Sequence, residues 1–141
     1  MLQTAIDLLH AEDLTCVICG REETMKFRLR GIRPMTDTLR DCPEVLKGAY
    51  IADRIIGKAA AMLAVAGGAH AVYGEVMSEA GLQMLREHGV EAQYGTLTSA
   101  ILNRENTGLC PMEQTVQTID DPQAALPALL KTLALLAERA K

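Results

Sequence analysis

A chain of 141 residues, 49% hydrophobic and 23% charged, has the size and balance of one globular domain spanning 1–141 with a core of its own. Its net charge of −4 excludes a non-specific pull toward nucleic acid polymers or an acidic membrane surface, and 3% aromatic residues with no Trp leave few platforms for stacking single-stranded bases.

The opening "MLQTAIDLLHAED" lacks a basic n-region and carries Asp7 inside its apolar stretch, unlike a signal peptide. The longest apolar run, "AAAMLAVAGGA", is well short of the roughly 20 residues of a membrane-spanning helix, so a soluble cytoplasmic protein with reduced cysteines is expected. Residues 2–11 have helical apolar spacing. "LTCVICG" (14–20) reads as a strand, "GREE" as a turn, and the alternating "TMKFRLR" (24–30) as the second strand of a hairpin. Residues 31–48, with Gly31, Pro34, Pro43 and Gly48, read mostly as loop with short helical turns.

"AYIADRIIGKAAAMLAVAGG" (49–68) reads as one helix closed by a Gly pair. A strand at 69–77, a Ser-capped helix at 78–89 and a strand at 90–97 follow. A short helix is expected near 98–103, a helix from Pro111, and an amphipathic helix over 120–140 with a kink at Pro127. A hairpin followed by β-α-β units implies an α/β fold, a three-layer α/β/α sandwich with a mixed sheet.

The candidate site residues each carry a chemical and a structural reading. Cys16 and Cys19 stand three apart in a strand and point to opposite faces, which suits core packing better than a shared metal or disulfide. Lys26, Arg28 and Arg30 share a strand face, with Arg33 just beyond in a loop; this cluster meets an anion or is a solvated edge. On a helix over 50–66, Asp53 heads a face of small residues that admits a ligand, a helix or a second subunit. Lys58 lies at the margin of the apolar stripe, either snorkelling or partly desolvated as a base or anion anchor. Ser78 and Glu79 stand at a strand-to-helix junction, where ligands collect in open sheets and where a cap with an acidic first turn is also expected.

In "NRENTGLCPMEQ" (103–114), Pro111 suits the first helical position and makes Cys110 the N-cap. A thiol at a helix start is favoured as thiolate, and Glu113, at the capping-box position, opposes that charge or accepts its proton. His10, His70 and His88 are not at metal-ligand spacing, and there is no phosphate-binding glycine loop, serine elbow or zinc-finger pattern.

Taken together, "GIRPM", "ADRIIGKAAAM", "LNRENTGLCPME" and "DDP", in order between residues 14 and 122, resemble a bacterial and archaeal domain family of unknown function whose fold is similar to that of cytidine deaminases. The resemblance implies a cytidine-deaminase-like sheet of about five strands and no established activity. Zinc-dependent deaminases carry a His- or Cys-x-Glu at the start of the helix after the hairpin and a Pro-Cys-x-x-Cys at the start of the next. Compared with "IADR" (51–54) and "MSEAG" (77–81), those motifs are missing, so no metal and no cofactor is expected. The expectation is a zinc-independent domain binding a small nucleotide- or nucleobase-like molecule. Asp53, Ser78 and Glu79 would furnish the pocket, Arg33, Lys58 and Arg104 would meet anionic groups, and Asn103 would orient the ligand. Two alternatives stand beside it: a thiol enzyme using Cys110 with Glu113, and a non-catalytic homo-oligomeric or regulatory subunit.

Overall fold

The computed structural model describes residues 1–140. Its hairpin is β1 (Cys16–Cys19) against β2 (Thr24–Phe27), with Cys16 opposite Phe27 and Cys19 opposite Thr24. Helix α1 (Leu2–Ala11) precedes the hairpin, and α2 (Arg33–Asp41) follows it. The span 31–48 is therefore more ordered than a loop: Pro34 sits in the first turn of α2, where a missing N–H costs nothing, and Pro43–Val45 form a 3-10 turn.

The expected helix over 49–68 is instead a strand and a helix. β3 (Tyr50–Ile56) runs antiparallel to β1, with Asp53 opposite Cys16, and parallel to β4 (Ala71–Ser78). Gly57 is the extended N-cap of α3 (Lys58–Gly67), and Gly68 closes that helix in the left-handed conformation at φ 81°. The cause of the misreading is physical. β3 is central, and its apolar residues Ile51, Ala52, Ile55 and Ile56 run through Gly57 into the alanines of α3 with no turn signal between them, so the two elements read as one helix. The small residues Ala59, Ala60, Ala61 and Ala64 are all buried, and Ala59 and Ala60 also border the cavity described below.

Ser78 ends β4 and caps α4 (Glu79–Glu87) by accepting from the Gly81 N–H at 3.0 Å. β5 (Glu91–Thr98) completes the sheet in the order β2-β1-β3-β4-β5, antiparallel in the hairpin half and parallel from β3 to β5. Residues 98–103 form no helix; Leu102 bridges Leu109 across a tight loop. Then come α5 (Pro111–Val116) and α6 (Ala125–Arg139). Pro127 lies in the first turn of α6, so it removes no helical hydrogen bond.

The mixed five-stranded sheet is flanked by helices on both faces. One core gathers Ile51, Met62, Leu63, Val72, Leu85 and Leu129 between the sheet and the later helices. A smaller one places Leu9 and Leu14 against Val17, Cys19 and Ala52 on the α1 side. Cys16 and Cys19 fall in different cores, as their alternation requires. No helix among the described residues is long and apolar enough to cross a membrane.

Candidate functional site

A cavity of about 860 Å³ opens at the carboxyl end of β3. Asp53 and Ile55 of β3 line it, with the segment Arg30–Ile32, the start of α2, and Gly57, Ala59 and Ala60 at the start of α3, but not Lys58. Residues 101–105, Cys110–Glu113 and Leu133 and Leu136 of α6 complete the wall. The lining is mainly apolar, with arginines where the wall meets solvent, and besides Glu113 it holds one further buried carboxyl.

That carboxyl is Asp53, only 7% exposed. The Ile55 N–H donates to its Oδ1 at 3.2 Å, and the Cys16 thiol meets it across the β1–β3 pair. Burial raises its pKa to about 7, with the Ile55 N–H pulling the other way. Burial, and then the Asp53 charge, push the Cys16 thiol well above its ordinary range.

Glu113 is also buried, but its carboxylate works for another helix. Oε1 accepts from the Lys58 N–H at 2.7 Å and Oε2 from the Ala59 N–H at 2.8 Å. It thus caps the N-terminus of α3 from 54 residues away, where an anion is favoured by free N–H groups and the helix dipole. Only glycine fits at 57, since a Cβ there would collide with this carboxylate. The capping box expected within α5 is absent; Cys110 is the N-cap by position, yet its side chain accepts no cap hydrogen bond. Glu113 is therefore spent on α3 and not held for the Cys110 thiol.

The remaining expected residues divide. Arg33 and Arg104 are exposed at the cavity, Arg33 with Asp37 3.6 Å away. Asn103 borders it too, but its amide shapes the loop, donating to Thr107 Oγ1 and accepting from the Thr107 N–H, both at 3.0 Å. Lys58 Nζ turns toward α5, donating to the Gln117 carbonyl at 3.4 Å. Ser78 and Glu79 are not among the residues lining the cavity.

Sequence reasoning missed Gly57 as a cavity residue, because it was placed in a helix interior, and underrated Arg30. It also missed Arg54, which borders the cavity and whose guanidinium reaches the α1 side of the sheet. There it donates to the carbonyls of Leu14 at 2.9 Å and Leu9 at 3.1 Å and pairs with Glu75, which also meets His10. The alternation of β3 was the available signal: it puts Asp53 and Arg54 on opposite faces.

The family model described as TM1506, a domain of unknown function (DUF1893), matches residues 4–133. The chain belongs to this family. A solved DUF1893 family protein from Thermotoga maritima, also designated TM1506, is similar to it at 22% identity, covering 92% of this chain and 88% of that one with a TM-score of 0.83, so the two share a fold. No curated protein matches. The family's function is unknown, so the functional reading rests on the cavity.

Proposed function

We propose that the cavity binds a small nucleotide-like molecule. The hydrogen-bond-donating edge of its ring would meet Asp53, and its anionic group would meet Arg30, Arg33 and Arg104. One observation carries this reading: a buried carboxyl faces a mainly apolar cavity whose outer wall is rich in arginine. Apolar walls take a planar ring, a few placed polar groups orient it, and guanidinium groups pair with phosphate. Binding is favoured over thiol chemistry at Cys110, because Glu113 has both oxygens on α3 and offers the thiol no base.

We read the fold as a zinc-independent variant of the cytidine-deaminase-like class. In this reading the helix after the hairpin is α2 and the next is α3, so the positions to compare are "GIRPM" and "GKAAA" and not "IADR" and "MSEAG". Both helix starts line the cavity, and neither carries a His or Cys. Asp53 and Cys110 are too few donors for a tetrahedral zinc site, with the Glu113 oxygens already committed.

Thermal denaturation with nucleoside monophosphates, the matching nucleosides and inorganic phosphate tests the proposal. A monophosphate should raise the midpoint more than its nucleoside, and Arg33→Ala should remove that difference while sparing the nucleoside effect. No stabilisation by any member of the series would refute it.

A further inference from the structure

The two edges of the sheet are built differently. β2 is four residues long and charged: Lys26 Nζ bonds the Glu12 carboxylate at 2.9 Å, and Arg28 donates to the Glu12 carbonyl. Short, charged edges resist pairing with other chains. β5 is eight residues long, and from Ala92 to Thr98 it has no charged residue and no proline. One side of it pairs with β4; on the other, no strand follows among the described residues. It is exposed on both faces, Tyr94 by 41% and Leu97 by 38%. None of the usual protections of a free edge is present.

We infer that β5 is a dimer interface, joining a second copy of this chain antiparallel about a twofold axis perpendicular to the sheet, so that ten strands run continuously. A row of unpaired N–H and C=O groups is satisfied by another strand and not by an apolar helix. A strand paired antiparallel about a twofold is its own complement, so one eight-residue edge supplies both sides at equal length.

Charge also permits it. Although each chain carries −4, Ala92–Thr98 is neutral, and antiparallel pairing sends the two Glu91 carboxylates to opposite ends of the seam. Such an axis keeps every residue on its own face of the sheet. Centred at Tyr94, it sets the two rings side by side and pairs Gln93 with the small Gly95, the kind of cross-strand contact that stabilises a ladder.

The test is the mass of the full chain in solution. A mass near twice 15.2 kDa that falls to the single-chain value on dilution is expected. Tyr94→Lys/Thr96→Lys on one face and Leu97→Lys on the other should each give a single-chain mass with an unchanged circular dichroism spectrum. Hydrogen exchange on the wild-type chain is a check that needs no variant: alternate β5 amides should gain protection as concentration rises. A wild-type chain that stays at 15.2 kDa at every concentration overturns the inference. So does a dimer that survives both sets of substitutions, or β5 exchange independent of concentration.

Discussion

Asp53 carries the most consequential proton in the molecule. In the unfolded chain its carboxyl titrates near 3.8, and in the fold near 7. Between those values the native state keeps a proton that the unfolded state has released, so native stability falls as pH rises from about 4 to about 7 and then levels off. Asp53→Asn removes that dependence. Denaturant titrations across this window should show the variant gaining on the wild type by up to about 1.4 kcal/mol per pH unit, with no further gain above about 7. A constant difference between the two would mean that Asp53 is not buried as described. Gly57 and Glu113 form a second residue-scale unit. Glu113→Ala should cost about 1–2 kcal/mol by leaving two N–H groups of α3 without their cap. Gly57→Ala should cost at least as much through collision with the same carboxylate. The double variant should be less destabilised than the sum, since removing Glu113 removes the collision. Full additivity in a double-mutant cycle would contradict the contact.

Among the elements, α1 is held to the sheet by its apolar stripe, by the His10–Glu75 contact and, most extensively, by the Arg54 side chain. Arg54 accounts for two of the carbonyl contacts of the α1 region and for the Glu75 pair. Arg54→Met keeps the stem and loses those bonds, and should cost about 1–3 kcal/mol, with hydrogen exchange rising in α1 before the rest of the fold. Element boundaries also show what the sequence could convey. β1, β2, β4, α4 and β5 were legible because alternation, a Ser cap and Gly stops mark them within the chain. β3 was not, because its apolar residues also fit a helical stripe continuing into α3 and its exit, Gly57, resembles any small helix residue. Its loss from the reading misplaced Asp53 on a helix and shifted the comparison with deaminase helix starts by one helix. The Glu113 cap was illegible for another reason: it joins residues 54 apart, and a capping box within α5 gave a complete local account of the same glutamate.

At the scale of the whole molecule, β2 and β3 run in the same direction, each antiparallel to β1, and so bring the starts of α2 and α3 to one end, where α5, α6 and the 101–110 loop close the cavity over them. Asp53, Arg33, Arg104 and Cys110 could each be suspected from the sequence, but their convergence depends on long-range packing that no local pattern encodes. Lys58, Ser78 and Glu79, equally plausible by local pattern, have local structural roles or point elsewhere.

Calorimetric titration of the protein with a nucleoside monophosphate, one pH unit either side of about 7, is the most direct test of the central claim. If the ring's donor edge meets the ionised Asp53 carboxyl, affinity should rise roughly tenfold across that interval, as the binding-competent fraction does. Ionisation of the phosphate itself adds to the rise, so the deciding comparison is with Asp53→Asn, which keeps that contribution and should lose the rest. Binding whose pH dependence is the same in the wild type and in Asp53→Asn, or no measurable binding by the wild type, would contradict the account.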